Sequence, residues 1–202
     1  GSGVSPSRTG YGEFSLNLNG LFNPSSTGGY TWSRIIPEQP QSFYQFDGFN
    51  YLGAGLLLLL AVVLCVSTVT LRKNGRKFLI VLWENLWVVL ACLCLTMFAV
   101  SNLITFGDQL LLEIPLSPEL LSLCNIFRGS SRLFWPVYYL LMLGGLYWCA
   151  GLGRRAGLLL LILVCCVQGF DLSAVVMEKH TYFQTYQEEP AMEFLAHPEQ
   201  YD

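Results

Sequence analysis

From Leu52 to Leu71 the chain runs twenty residues without a charge, and no other feature narrows the possible folds as much. As a helix this stretch rises about 30 Å, the thickness of a bilayer's hydrocarbon core. It also satisfies its own backbone hydrogen bonds, which lipid cannot do for it. Comparable apolar stretches follow at about 78–101, 133–153 and 156–176. Only 12% of the 202 residues are charged, against about 25% in ordinary soluble domains. The expected fold is therefore all-α and integral to a membrane. It has four transmembrane helices, one interfacial helix and an irregular extracytoplasmic N-terminal segment.

The charges order these spans. Arg72-Lys73-Asn74-Gly75-Arg76-Lys77 follows the first span and Arg154-Arg155 separates the last two. Short loops rich in Lys and Arg face the cytoplasm, and these two hold six of the eleven basic residues and no acid. Both ends of the chain are then extracytoplasmic: residues 1–51 as an aromatic-rich loop segment, 102–132 as an outer loop, and 177–202 as an acidic tail. The sequence pI of about 5.4 reflects that outer face and implies no nucleic-acid partner. The bilayer is the partner that the composition demands. Met97 is the first methionine and the chain opens Gly-Ser-Gly. The ends are thus expected to be cut points in a larger protein whose remaining helices would pack here.

Local signals fill in the outer parts. Phe14, Leu16 and Leu18 alternate with polar residues, which predicts one short strand. Tyr30, Trp32, Phe43, Tyr44, Phe46, Phe49 and Tyr51 have the density expected at a bilayer interface; packing of the loop onto neighbouring helices would account for them equally well. Ser117-Pro118-Glu119 is a helix start, and Leu116, Leu120, Leu123 and Phe127 then form one apolar face. Gly129-Ser130-Ser131 breaks that helix, and Pro136 places another start close behind it. Arg128 and Arg132 bracket the break. A guanidinium offers a planar fork that matches a phosphate, so the pair is a candidate lipid-phosphate site. The plain alternative is that they pair with Glu113 or Glu119, or cap the carbonyls ending the helix.

Other candidates carry less. Glu84, followed by Asn85, is an acid well inside the expected second span, and intramembrane acids are functional candidates by default. Hydrogen bonding to a neighbouring helix, or to Arg76 or Lys77, would explain it without a function. Asp47 and Asp108 stand in outer loops near membrane entry points, where a carboxylate could act as a base or hold a divalent ion. No cofactor is evident and no divalent-cation site is demonstrated. Six of the seven cysteines fall in apolar runs, as small hydrophobes do. His180 and His197 flank the acidic tail. No phosphate-binding loop, nucleophile elbow or zinc-binding helix is present.

Three stretches carry a resemblance. Phe-Asp-Gly-Phe-Asn-Tyr-Leu-Gly-Ala-Gly (46–55) is similar to the EGFNYLG lead-in to a membrane helix found in a group of large bacterial polytopic proteins. Ser-Asn-Leu-Ile-Thr-Phe-Gly-Asp (101–108) and Ile-Phe-Arg-Gly-Ser-Ser-Arg-Leu-Phe-Trp-Pro-Val-Tyr-Tyr (126–139) are similar to two further motifs of that group, over most of residues 10–172. The group has no assigned function and resembles the GT-C class of membrane glycosyltransferases. The resemblance implies a bacterial inner-membrane location and a polyprenyl-phosphate-linked sugar handled at the periplasmic face. It matches a late portion of such proteins, so their catalytic base would lie outside this chain. Arg128 and Arg132 match the group's arginines; Gly129 and Ser131 depart from its usual residues and alter the turn. The competing reading is a non-catalytic membrane subunit, or part of a transporter or flippase.

Overall fold

A computed structural model describes residues 10–25, 30, 32–42, 45 and 48–185. Helix dominates. The elements in order are α1 (Ala54–Glu84), α2 (Leu86–Val100), β1 (Leu103–Phe106), β2 (Gln109–Glu113), α3 (Pro118–Cys124), α4 (Trp135–Gly151) and α5 (Arg154–Thr185). Short 3-10 turns, Asn125–Phe127 and Ser130–Phe134, join α3 to α4. Three helical runs are long and apolar enough to cross a membrane: Ala54–Arg76, Ser130–Gly151 and Arg154–Thr185.

The expected second span differs from one straight helix. Helical bonding continues past Arg72–Lys77 through a kink at Asn74, whose φ and ψ are −144° and 52°. It then breaks at Asn85, where Phe78–Glu84 and Leu86–Val100 meet at a 74° bend. Asn85 ends the first piece with its own groups: its backbone N–H and its side-chain Nδ2 both donate to the Val81 carbonyl, at 3.1 and 2.8 Å. Asparagine competes in this way for backbone acceptors, which suits it to helix ends.

The fold is also not purely α-helical. Residues 103–113 form a two-stranded antiparallel hairpin, with Leu103 opposite Glu113, Phe106 opposite Gln109, and a bulge between Ile104 and Thr105. The strand expected over Phe14–Leu18 is absent, because that stretch gives its hydrogen bonds singly to other elements. Leu16 N–H donates to Ala99 O at 2.8 Å and Leu18 N–H to Thr105 O at 3.0 Å. Thr105 alternates with apolar neighbours, so β1 had a strand's pattern, but the short hairpin was hidden beside the helical signal of 117–127. That helix forms as α3. Ser117 caps it, accepting from Leu120 N–H, and Pro118 occupies its first turn.

A polar layer covers one end of the helices. Its hub is Asn17, 4% exposed: Nδ2 donates to Gln45 Oε1 and to Gly107 O, both at 2.7 Å, and Oδ1 accepts from Gly107 N–H at 3.0 Å. Gln45 in turn donates to Thr105 Oγ1 and Ser15 Oγ. These bonds strap the N-terminal segment to the β1–β2 turn, and each satisfies a polar group that burial would otherwise penalise. Tyr11 ties down the segment's start through its hydroxyl, which donates to Phe98 O at 3.0 Å, and burial pushes its phenol up to about 12. Beneath the layer lie two apolar clusters, Leu16–Ala99–Val100–Phe134–Val137 and Leu52–Leu56–Leu59–Cys149–Val164. Leu21 packs against both. The opposite end of the molecule carries Arg72, Lys73 and Arg76, with Arg154 and Arg155 at the start of α5.

Candidate functional site: an aromatic cavity built on a buried aspartate

The start of α1 is held by α5. A helix leaves its first backbone N–H groups unpaired, and α1 has no capping side chain of its own at Gly53. Asp171 and Gln168, one turn apart on α5, supply the acceptors. Asp171 Oδ2 accepts from Ala54 N–H at 2.9 Å and Gln168 Oε1 from Leu56 N–H at 3.1 Å. Gln168 Nε2 also donates to Leu52 O at 3.3 Å. A carboxylate is favoured at the positive end of a helix dipole, so the fully buried Asp171 is matched to its place.

The same carboxylate gathers the polar layer. Tyr51 Oη donates to Oδ2 at 2.7 Å, and Ile35 N–H to Oδ1 at 3.3 Å. Ser33 Oγ donates to Oδ1 as well, and its own oxygen accepts from Ile36 N–H at 2.8 Å. Burial, opposed by the bond to Ser33 and reinforced by Asp171, raises the Tyr51 phenol well above its ordinary range. Charge-assisted bonds of this kind are about twice as strong as neutral ones.

Glycine makes the approach of α1 to α5 possible. A Cβ on Gly55 would sit 2.4 Å from Val164 O and 2.7 Å from Gln168 Cβ, and one on Gly53, with φ at +83°, 1.8 Å from Gln168 Nε2. Asn50-Tyr51-Leu52-Gly53-Ala54-Gly55, the core of the first resemblance motif, is thus a docking surface for α5. Gly48 makes a similar approach, its missing Cβ 2.1 Å from Ser131 Oγ. That contact joins the first motif to the third.

A cavity of about 310 Å³ opens beside this clamp. Trp32, Phe49 and Tyr51 wall one side, and Trp135, Tyr138 and Tyr139 from the head of α4 wall another. Gln168 and Leu172 of α5 close it together with Leu52. Trp32 and Phe49 lie 4.7 Å apart between ring centroids. The Lys179 ammonium sits 5.1 Å from the Trp32 ring and 5.1 Å from that of Tyr30, and the Arg34 guanidinium is 5.9 Å from Phe170. A wider apolar groove of about 800 Å³ runs along the next turns of α4, between Leu60 and Val63 of α1 and Gly144, Gly145 and Trp148. Aromatic faces with few polar groups suit an amphipathic or ring-bearing ligand, with cations at the margin for an anion.

The candidates named from sequence are dispersed. Arg128 is exposed, its guanidinium 4.8 Å from the Phe14 ring. Arg132 is exposed in the 3-10 turn three residues before Trp135. Neither lines the cavity. Asp108 is exposed at the β1–β2 turn, while Glu84 and Asn85 are exposed at the 74° bend. Asp47, Phe43, Tyr44, Phe46 and His197 lie outside the described residues. Three of the expected aromatics, Trp32, Phe49 and Tyr51, do meet Trp135 in one cavity. Asp171 lies inside the expected last span, 156–176, and escaped sequence reading because it stands near the span's polar end. Its signal was the pairing of Gln168 with Asp171 on one helical face. Among the described residues no three or more His, Cys, Asp or Glu side chains group together to hold a metal ion.

Comparison with known proteins gives a family without an activity. Residues 1–173 match the family described as Domain of unknown function (DUF6311), a span that closes two residues beyond Asp171. No curated protein and no solved structure matches the chain.

Proposed function

The chain belongs to the DUF6311 family, and from that premise we propose that it is the membrane-embedded, lipid-substrate-binding part of a GT-C-like glycosyltransferase. The ligand is a polyprenyl-phosphate-linked sugar, taken up at the periplasmic face of a bacterial inner membrane. The observation that carries the reading is the aromatic cavity at the head of α4. Six aromatic side chains surround it, and sugars and isoprenoid units both pack well on such faces. The adjoining groove between α1 and α4 has the apolar lining that a long lipid chain needs. Arg132, one turn before Trp135, is assigned to the phosphate, with Arg128 beside it; the catalytic base is assigned to residues outside this chain. A guanidinium pair would neutralise the phosphate both in the bound state and as leaving group.

The test is binding of an undecaprenyl-phosphate analogue to the detergent-solubilised protein. Trp135→Ala and Tyr139→Ala are each expected to weaken binding about tenfold, equivalent to about 1.4 kcal/mol. Arg128→Ala and Arg132→Ala are expected to do the same for the phosphate analogue and to spare a neutral polyprenol. An absence of binding to the unaltered protein removes this reading in favour of a non-catalytic membrane subunit. Binding that ignores the aromatic substitutions removes the cavity as its seat.

A further inference from the structure

The stretch between α1 and α2 can be placed by counting from the polar layer. Leu52 N–H donates to Leu21 O at 3.0 Å, and Ala99 O accepts from Leu16 N–H at 2.8 Å. The start of α1 and the end of α2 are therefore tied to one short segment and share a level. Fifteen residues of α2 descend about 22 Å from that level, the distance covered by Ala54 to about Thr68 in α1. Leu86 thus stands near the depth of Thr68, and Arg72 and Lys73 lie about one turn deeper, before α1 kinks at Asn74. Beyond the kink, Phe78–Glu84 leads to Leu86 at 74° to α2. Over its length of about 10 Å, such a segment changes depth along the α2 axis by only about 3 Å.

The surroundings of this piece are as uneven as its path. Its apolar side chains turn away from the rest of the protein: Leu79 is 62% exposed, Trp83 77%, and Trp87 just beyond the bend 81%. Arg72, Lys73 and Arg76 are exposed beside it, and Arg154 and Arg155 are exposed at the same end of the bundle. Glu84 is the one acid in the whole stretch from Ala54 to Val100. Apolar side chains, indoles and clustered cations belong together in the headgroup zone, roughly 5–8 Å thick on each side of a bilayer.

We propose that Phe78–Glu84 is an in-plane anchoring arm seated in the interfacial zone of the leaflet at the basic end. Anionic lipid headgroups on Arg72, Lys73 and Arg76 hold it there, and the second crossing is Leu86–Val100 alone, about 22 Å long, with the bilayer thinned locally to meet it. The occupant of the exposed arm is lipid because the flanking charge is almost wholly positive and an anionic leaflet complements it. Glu84 then lies at a polar boundary instead of within the hydrocarbon, which removes the large cost of an unpaired intramembrane acid. Asn85 closes the arm's last turn and lets the chain change direction.

Site-directed spin labels in vesicles test the arm. Cys149 is buried and can stay; the other six cysteines are replaced by alanine, and single labels are placed at Leu79, Leu82, Leu86, Leu90 and Leu93. Depth is read from accessibility to oxygen against a nickel chelate. Leu79 and Leu82 should share one interfacial depth within about 3 Å, after which depth increases by about 1.5 Å per residue from Leu86 onward. A single ramp beginning at Leu79 overturns the proposal by making the arm part of a crossing. Labels at 79 and 82 that neither reagent reaches overturn it by putting a protein partner there. Quenching of Trp83 by headgroup-labelled lipid in the cysteine-intact protein is the companion measurement, and weak quenching counts against the arm. Enrichment of phosphatidylglycerol over phosphatidylcholine around the protein should fall at least tenfold in Arg72→Gln/Lys73→Gln/Arg76→Gln, since each cation contributes about fivefold at an anionic surface. Unchanged enrichment overturns the headgroup contacts.

Discussion

Asp171 ties α5 to the start of α1 and to the N-terminal segment at once. Its two oxygens accept from Ala54, Tyr51, Ser33 and Ile35; removing it takes the acceptor from Ala54 N–H and Ser33 O–H, while Tyr51 and Ile35 keep only their bonds to Ser33 Oγ. The loss of charge-assisted bonds and the unpaired groups left behind should cost about 3 kcal/mol for Asp171→Ala. Asp171→Asn keeps one acceptor and should cost less. Thermal unfolding in detergent gives the ranking, and equal stability of Asp171→Ala and the unaltered protein would show that the network is dispensable. The carboxylate fixes the Tyr51 ring, and through Ser33 the neighbouring Trp32, so ligand binding at the cavity should fall along with stability.

At the scale of elements, the closest seam is between α1 and α5, and glycine sets its width. Gly55→Ala would press a methyl group against Val164 O and Gln168, so it should destabilise by about 1–3 kcal/mol, the usual range for overpacking. Gly169→Ala, on the same α5 but with open space around its missing Cβ, should be neutral or stabilising by up to about 1 kcal/mol through helix propensity. Chemical unfolding of the two variants side by side separates steric contact from propensity. The same residues show what could be read in advance. The apolar stretches and the cap at Ser117 are local signals, so the helices and α3 were legible. The hairpin at 103–113 was not, because it depends on Asn17 and Gln45 reaching across some 60 to 90 residues. The 74° bend was hidden too: Asn85 looks like one polar residue in an apolar run, and only its bonds to Val81 reveal a terminus. The site was half legible, since Trp32, Phe49 and Tyr51 stood out as aromatics while Asp171 went unnoticed near the end of the expected last span.

In the molecule as a whole, the long-range bonds all converge on the polar layer and the last helix. Ser33 meets Asp171 across 138 positions, and Tyr51 meets it across 120. In synthesis, residues 10–53 emerge well before Asp171. Until α5 is in place, the start of α1 lacks its acceptors and the aromatic walls lack their frame. Biosynthesis therefore carries a built-in checkpoint at the insertion of α5. Nascent chains halted before Gln168 has emerged should keep residues 10–53 open to protease, and chains extended past about residue 175 should protect them. Early protection would mean that the layer closes without α5. With the expected order, a defect in any crossing before α5 leaves the polar layer open to proteases, so that only molecules with α5 in place keep it closed.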